Sequence, residues 1–109
     1  FNGQLVIPPV TLTDAASIAL DLSTATTFFV SLAGNRTLGN GANAQPGQSG
    51  FIYVFQDGTG SRTLSYGDSY NFPDAEVPVL STASSAVDML VYNVRGVSAI
   101  DMILVSSFG

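Results

Sequence analysis

Apolar residues recur along this chain at every second position, and no segment keeps a 3.6-residue period for three turns. That pattern restricts the fold to strands. In SIALDLS, Ile18, Leu20 and Leu22 alternate with Ser17, Ala19 and Asp21. In TTFFVSL, Phe28, Val30 and Leu32 share one face, and the short gap Ser23-Thr24-Ala25 suits a hairpin connection. GFIYVFQ sets Phe51, Tyr53 and Phe55 against Ile52 and Val54. RTLSY and YNF are shorter strand candidates. AVDMLVYNV and VSAIDMILVSS close the chain, with a hairpin expected at Arg95-Gly96. Gly39–Gly50 and Phe72–Pro78 read as loops, and Ser81–Val87 as one helical turn capped by Ser81.

Many short strands separated by turn signals predict an all-β fold, an antiparallel β-sandwich or jelly-roll-like barrel. The expected division is an extended N-terminal segment, residues 1–12, connecting to a preceding or partner chain, then one β domain over 13–109. The start, FNGQLVIPPV, has no initiator Met and already runs extended, so residues are expected to precede Phe1 in the full product.

Two strands depart from the alternation of a sheet with one wet face. GFIYVFQ is apolar on both sides, and so is the last strand, where Ile100, Met102 and Leu104 oppose Ile103 and Val105. Either such strands are central in a two-layer core or their outer faces meet another chain. Composition bears on the choice: charged residues make up 10% of the chain, against about 25% in ordinary domains. So little charge predicts surface covered by other subunits, hence a homo-oligomer.

The charge balance also excludes partners and chemistries. There is no Lys and no His; Arg36, Arg62 and Arg95 face eight carboxylates at net charge −5. No basic patch exists for nucleic acid or anionic lipid. No apolar run approaches the ~18 residues of a membrane span. Without Cys, thiolate chemistry and thiolate metal sites are excluded, and without His the common nucleophile–base pairs are absent. No enzyme activity, cofactor or metal is expected.

The stretch QDGTGSRTLSYG is the most patterned. A phosphate cradle needs a helix after the glycines, but β-type residues follow. Asp57 in its glycine turn lacks a second motif to supply a partner carboxylate, and DGTGS lacks the oxygen spacing of a calcium loop. A β-turn fits better: Asp57-Gly58 turns the chain, Gly60 gives a second pliable point, and Arg62 ties the turn locally before the next strand. Gly-x-Arg-Thr-Leu occurs twice, at Gly34–Leu38 and Gly60–Leu64, so Gly34 and Arg36 are expected to repeat the device. Beside this turn lie Tyr66, Asp68, Tyr70 and Asn71, aromatic and polar together, as a surface for a glycan requires.

GNRTLGN, PGQSGFIYVFQDGTGSRTLSYG and PVLSTASSAVDMLVYNV together resemble a small β domain of tailed-bacteriophage virion proteins, over roughly Thr13 to Val105. The resemblance implies a structural component of the virion, a tail fibre or appendage or a head-decorating protein. It implies assembly with other virion proteins, with the homotrimer as the expected order. A receptor-binding tip for host surface glycan is the alternative. After Ser65-Tyr66-Gly67, where relatives often carry Trp or Lys, this chain has Asp68-Ser69-Tyr70-Asn71-Phe72.

Overall fold

The computed structural model describes residues 7–108, which hold nine strands and one 3-10 turn at Pro73–Ala75. The strands are β1 (Val10–Thr11), β2 (Ser17–Ile18), β3 (Thr27–Leu32), β4 (Arg36–Leu38), β5 (Ser49–Gln56), β6 (Leu64–Tyr66), β7 (Tyr70–Asn71), β8 (Val87–Gly96) and β9 (Ala99–Phe108). Up to β6 the chain passes back and forth between two sheets. The odd strands β1, β3 and β5 lie side by side in parallel, and β2, β4 and β6 do the same opposite them. The result is three coils, each contributing one strand to each sheet. The β8–β9 hairpin then lies between β5 and β7, giving the order β1-β3-β5-β8-β9-β7 in the larger sheet.

Only β8 runs against its neighbours; β7 is parallel to β9. The expected antiparallel arrangement is therefore corrected to a mixed one. The gap at Ser23-Thr24-Ala25 is not a hairpin, because β2 and β3 belong to different sheets. The same holds for QDGTGSRTL, which carries the chain from β5 in one sheet to β6 in the other. A parallel neighbour requires a long crossover, and here each crossover is itself a strand of the opposite sheet. The short gaps were compatible with either connection. The last hairpin does form, but its loop is Val97-Ser98, two residues past Arg95, with Gly96 paired to Ala99. Ser81–Val87 is not helical; the Ser81 amide instead donates to Asp88 Oδ2 at 2.6 Å.

The alternation decides what goes inside. Ile18, Leu20 and Leu22, then Phe28, Val30 and Leu32, then Ile52 and Val54, point into one hydrophobic cluster, joined by Leu38 and Leu64 from the smaller sheet. Leu90, Tyr92, Val94, Ile100 and Met102 extend that cluster beneath the hairpin. Beyond the edge strand β6, Leu80 joins the core and Phe72 packs against it, while Val77 and Val79 stay exposed. Close approach explains Gly50: a Cβ there would run into the Thr26 carbonyl, which accepts the Phe51 amide at 2.9 Å.

Candidate functional site: stacked corners and an apolar sheet face

The crossovers from the larger sheet to the smaller stack on one side of the molecule, and the three-coil winding aligns their polar residues. Asp14, from the first crossover, receives Arg36 from the second coil: Nε to Oδ1 at 2.8 Å and Nη2 to Oδ2 at 3.0 Å. The Ala33 amide also donates to Asp14. Asn35 accepts the Thr63 amide of the third coil, and the Arg36 amide donates to the Thr63 carbonyl. Each coil is thus tied to the next by side chain and backbone alike.

In the third crossover Asp57 accepts the amides of Thr59 and Gly60 and is held by Arg62, Nη2 to Oδ2 at 2.9 Å. The Arg36 and Arg62 hydrogen bonds hold the Asp14 and Asp57 carboxyls below the ordinary carboxylate value, with backbone amides adding to the effect. The two Gly-x-Arg-Thr-Leu copies are not in matched register. Arg36 lies opposite Leu64, not Arg62. Arg36 reaches back to the preceding coil while its guanidinium covers Gly34, whereas Arg62 closes its own loop. Gly60 has φ +73 and abuts the Thr82 carbonyl; Gly58 faces open space.

Two further residues in this region escaped sequence reasoning. Gln56 and Asp88 are buried polar side chains at positions whose parity points inward. Gln56 Nε2 donates to the carbonyls of Arg62 and Ser81, and its Oε1 accepts the Arg62 amide. Asp88 accepts the Ser81 and Ser107 amides. Ser107 sits at a β-bulge with φ +65, so Asp88 satisfies an amide that the ladder leaves out. The signal was present: Gln56 continues the inward series Ile52-Val54, and Asp88 begins Leu90-Tyr92-Val94.

At the opposite corner Asn40 organises the turn after β6, donating to Asp68 at 2.7 Å and accepting the Ser69 amide. Tyr70 is buried and its hydroxyl donates to the Gly39 carbonyl. Tyr66 is half-buried against Tyr70 and Phe72, and its hydroxyl has no hydrogen-bond partner among the described residues. Burial raises both phenols well above their usual value. Tyr66, Tyr70 and Asn71 line a cleft of about 210 Å³ with Phe72. Among the described residues no group of carboxylates is placed to hold a metal.

The outer face of the larger sheet is apolar across several strands. Register sets Phe29, Tyr53, Met89 and Val105 in one row, and Phe51, Val91 and Ile103 in the next. A third row holds Phe55, Val87 and Phe108. Phe29 meets Tyr53 and Phe55 with ring centroids 5.7 and 6.0 Å apart. Phe51 remains 42% exposed and Ile103 48%. The charges on this face, Arg95 and Asp101, pair with each other near the β8–β9 turn.

Across residues 9–98, from β1 through β8, the chain matches a family model described as "Putative phage tail fibre C-terminal domain". The chain belongs to this family. No curated protein and no solved structure matches it. As a tail-fibre domain it is part of the virion, with a structural role in the fibre and association with other virion components. The family points to a non-enzymatic role.

Proposed function

We propose that this tail-fibre domain builds the fibre by self-association, with the outer face of the larger sheet as the contact. One observation carries the reading. All-parallel sheets occur almost only with both faces covered, and in the parallel half of this sheet β3 and β5 carry Phe29, Phe51, Tyr53 and Phe55 on the outer face, where Phe51 stays exposed. The four long strands β3, β5, β8 and β9 give a face of roughly 14 by 26 Å, ~370 Å², about half of the ~800 Å² per partner of a standard interface. Three copies around an axis is the expected order. Native mass spectrometry at micromolar concentration tests this, with Phe51→Asp as the probe variant. Oligomer from the unmodified chain and monomer from the folded variant are expected. A monomeric unmodified chain, or an unaffected variant, overturns the reading.

A second reading is contact with a host glycan at the cleft beside β7. It is favoured by the convergence of Tyr66, Tyr70 and Asn71 on one cleft and by the unpartnered Tyr66 hydroxyl. Asp68 stands at the adjoining turn. A glycan array that lights up for the unmodified chain and dims for Asn71→Ala supports it; a blank array at high protein concentration removes it.

A further inference from the structure

A cleft of about 500 Å³ opens on the outer face of the larger sheet, where β8, β9 and β7 lie side by side. Its volume is that of a small-ligand site. Register aligns its polar groups. Asn93 of β8 and Asn71 of β7 both pair with Asp101 of β9, so the three form one row across the sheet, roughly 10 Å from end to end. Arg95 grips Asp101, Nε to Oδ2 and Nη2 to Oδ1, both at 3.0 Å. The Asn71 carboxamide makes one long internal bond, 3.5 Å to the Ser69 carbonyl, and the Asn93 carboxamide makes none among the described residues. The next row is apolar: Val91 pairs with Ile103, and both line the cleft. Phe72 and Pro73 wall its side. The turn that sets this wall is strained. Asp74 and Ala75 both have φ +56. The Ala75 amide donates to the Phe72 carbonyl at 2.9 Å and the Glu76 amide to the Pro73 carbonyl at 3.1 Å, which holds the turn closed. Adjacent non-glycine residues in the left-handed region are costly, and such strain collects at ligand clamps.

We infer that this cleft binds an uncharged saccharide. A sugar ring has apolar C–H faces and a rim of hydroxyls that both donate and accept. Val91, Ile103 and the Phe72 ring offer apolar surface to a C–H face. The carboxamides at the two ends of the row donate and accept in turn, and the Asp101 carboxylate and Arg95 guanidinium keep lone pairs and donors beyond their mutual bonds. Those two charges cancel, and no other residue lining the cleft is charged. An anionic ligand would have to take Arg95 away from Asp101, and a cation the reverse, so the site favours a neutral ring. This is not the cleft of Tyr66 and Tyr70. Asn71 and Phe72 border both, but Asn93, Arg95 and Asp101 belong to this one alone. Every group it uses comes from one chain, so it does not depend on the sheet-face contact.

NMR titration of the isotope-labelled unmodified chain reads the site directly, through the Asn71 and Asn93 side-chain amides and the Asp101 backbone amide. The probes are methyl glycosides of neutral hexoses, their N-acetylamino counterparts and neutral disaccharides. At least one is expected to shift all three signals saturably, and its uronic-acid counterpart to bind more weakly. Asn93→Ala is expected to lower the affinity roughly tenfold, the loss of one good hydrogen bond, while Tyr66→Phe leaves it unchanged. The same shifts are expected in Phe51→Asp, and their loss there would make a neighbouring copy part of the site and overturn a cleft complete in one chain. Asn93 signals unmoved by every sugar, or equal affinity for the uronic acid, overturn the inference. Saturable shifts confined to the surroundings of Tyr66 and Tyr70 also overturn it, while leaving the other cleft as the glycan site.

Discussion

Gln56 and Arg62 exchange two hydrogen bonds: Gln56 Nε2 donates to the Arg62 carbonyl at 2.8 Å, and the Arg62 amide donates to Gln56 Oε1 at 2.9 Å. The carboxamide thereby acts as a rung that the backbone lacks where the chain changes sheets. Its remaining donor reaches the Ser81 carbonyl, so one buried side chain fastens two loops.

Gln56→Leu keeps the volume but removes the partner of the Arg62 amide, the Arg62 carbonyl and the Ser81 carbonyl. Each orphaned buried group costs about 1–3 kcal/mol, so a loss of about 3 kcal/mol or more is expected from urea denaturation. A loss under half a kilocalorie would mean that water replaces the rung.

Asp88→Ala should act on the β-bulge. The Ser81 and Ser107 amides lose their acceptor, and both should exchange faster while Leu90, in the middle of β8, stays protected. Uniform acceleration across β8 would show global destabilisation instead.

The glycines of the third crossover separate by cause. Gly60→Ala places a side chain at φ +73 against the Thr82 carbonyl, and should cost about 1 kcal/mol or more. Gly58→Ala meets open space and should be neutral or slightly stabilising. Thermal unfolding of the pair checks both. Equal losses would place the demand in the turn as a whole.

The corner ion pairs make acid sensitivity specific. Asp14 and Asp57 titrate below the ordinary 3.8 in the folded chain. Their stabilising effect is therefore complete above that value and is lost as pH falls through the lowered folded values. Arg36→Ala returns Asp14 toward its ordinary value, so its stability should decline less steeply on acidification than that of the unmodified chain. Parallel pH profiles would show that Asp14 is held by the Ala33 amide alone.

The inward residues were legible because alternation marks them directly. Ile18, Phe28, Ile52 and Ile100 lie where parity places them. The sheet each strand joins was not legible. Strand pairing depends on what lies beside a strand in space, and a three-residue gap serves a hairpin or a crossover equally well. The repeated Gly-x-Arg-Thr-Leu was visible, but its two copies take different partners. Arg36 finds Asp14, which lies 22 residues earlier, while Arg62 finds the local Asp57. Gln56 and Asp88 were legible in principle as polar residues at apolar parity. Their partners are backbone groups of distant loops, and no local pattern encodes those.

The placement of the β8–β9 hairpin has a consequence for the order of folding. Its two-residue loop makes it the most local pairing in the molecule, whereas each coil must first close a longer loop. β7 precedes the hairpin in the chain but, among the described strands, pairs with β9 alone. The strand that emerges earlier must wait for the one made later, so β7 joins after the hairpin. Pulse-labelling should find the Leu90 amide protected before that of Asn71, and the reverse order would place the rate-limiting step elsewhere.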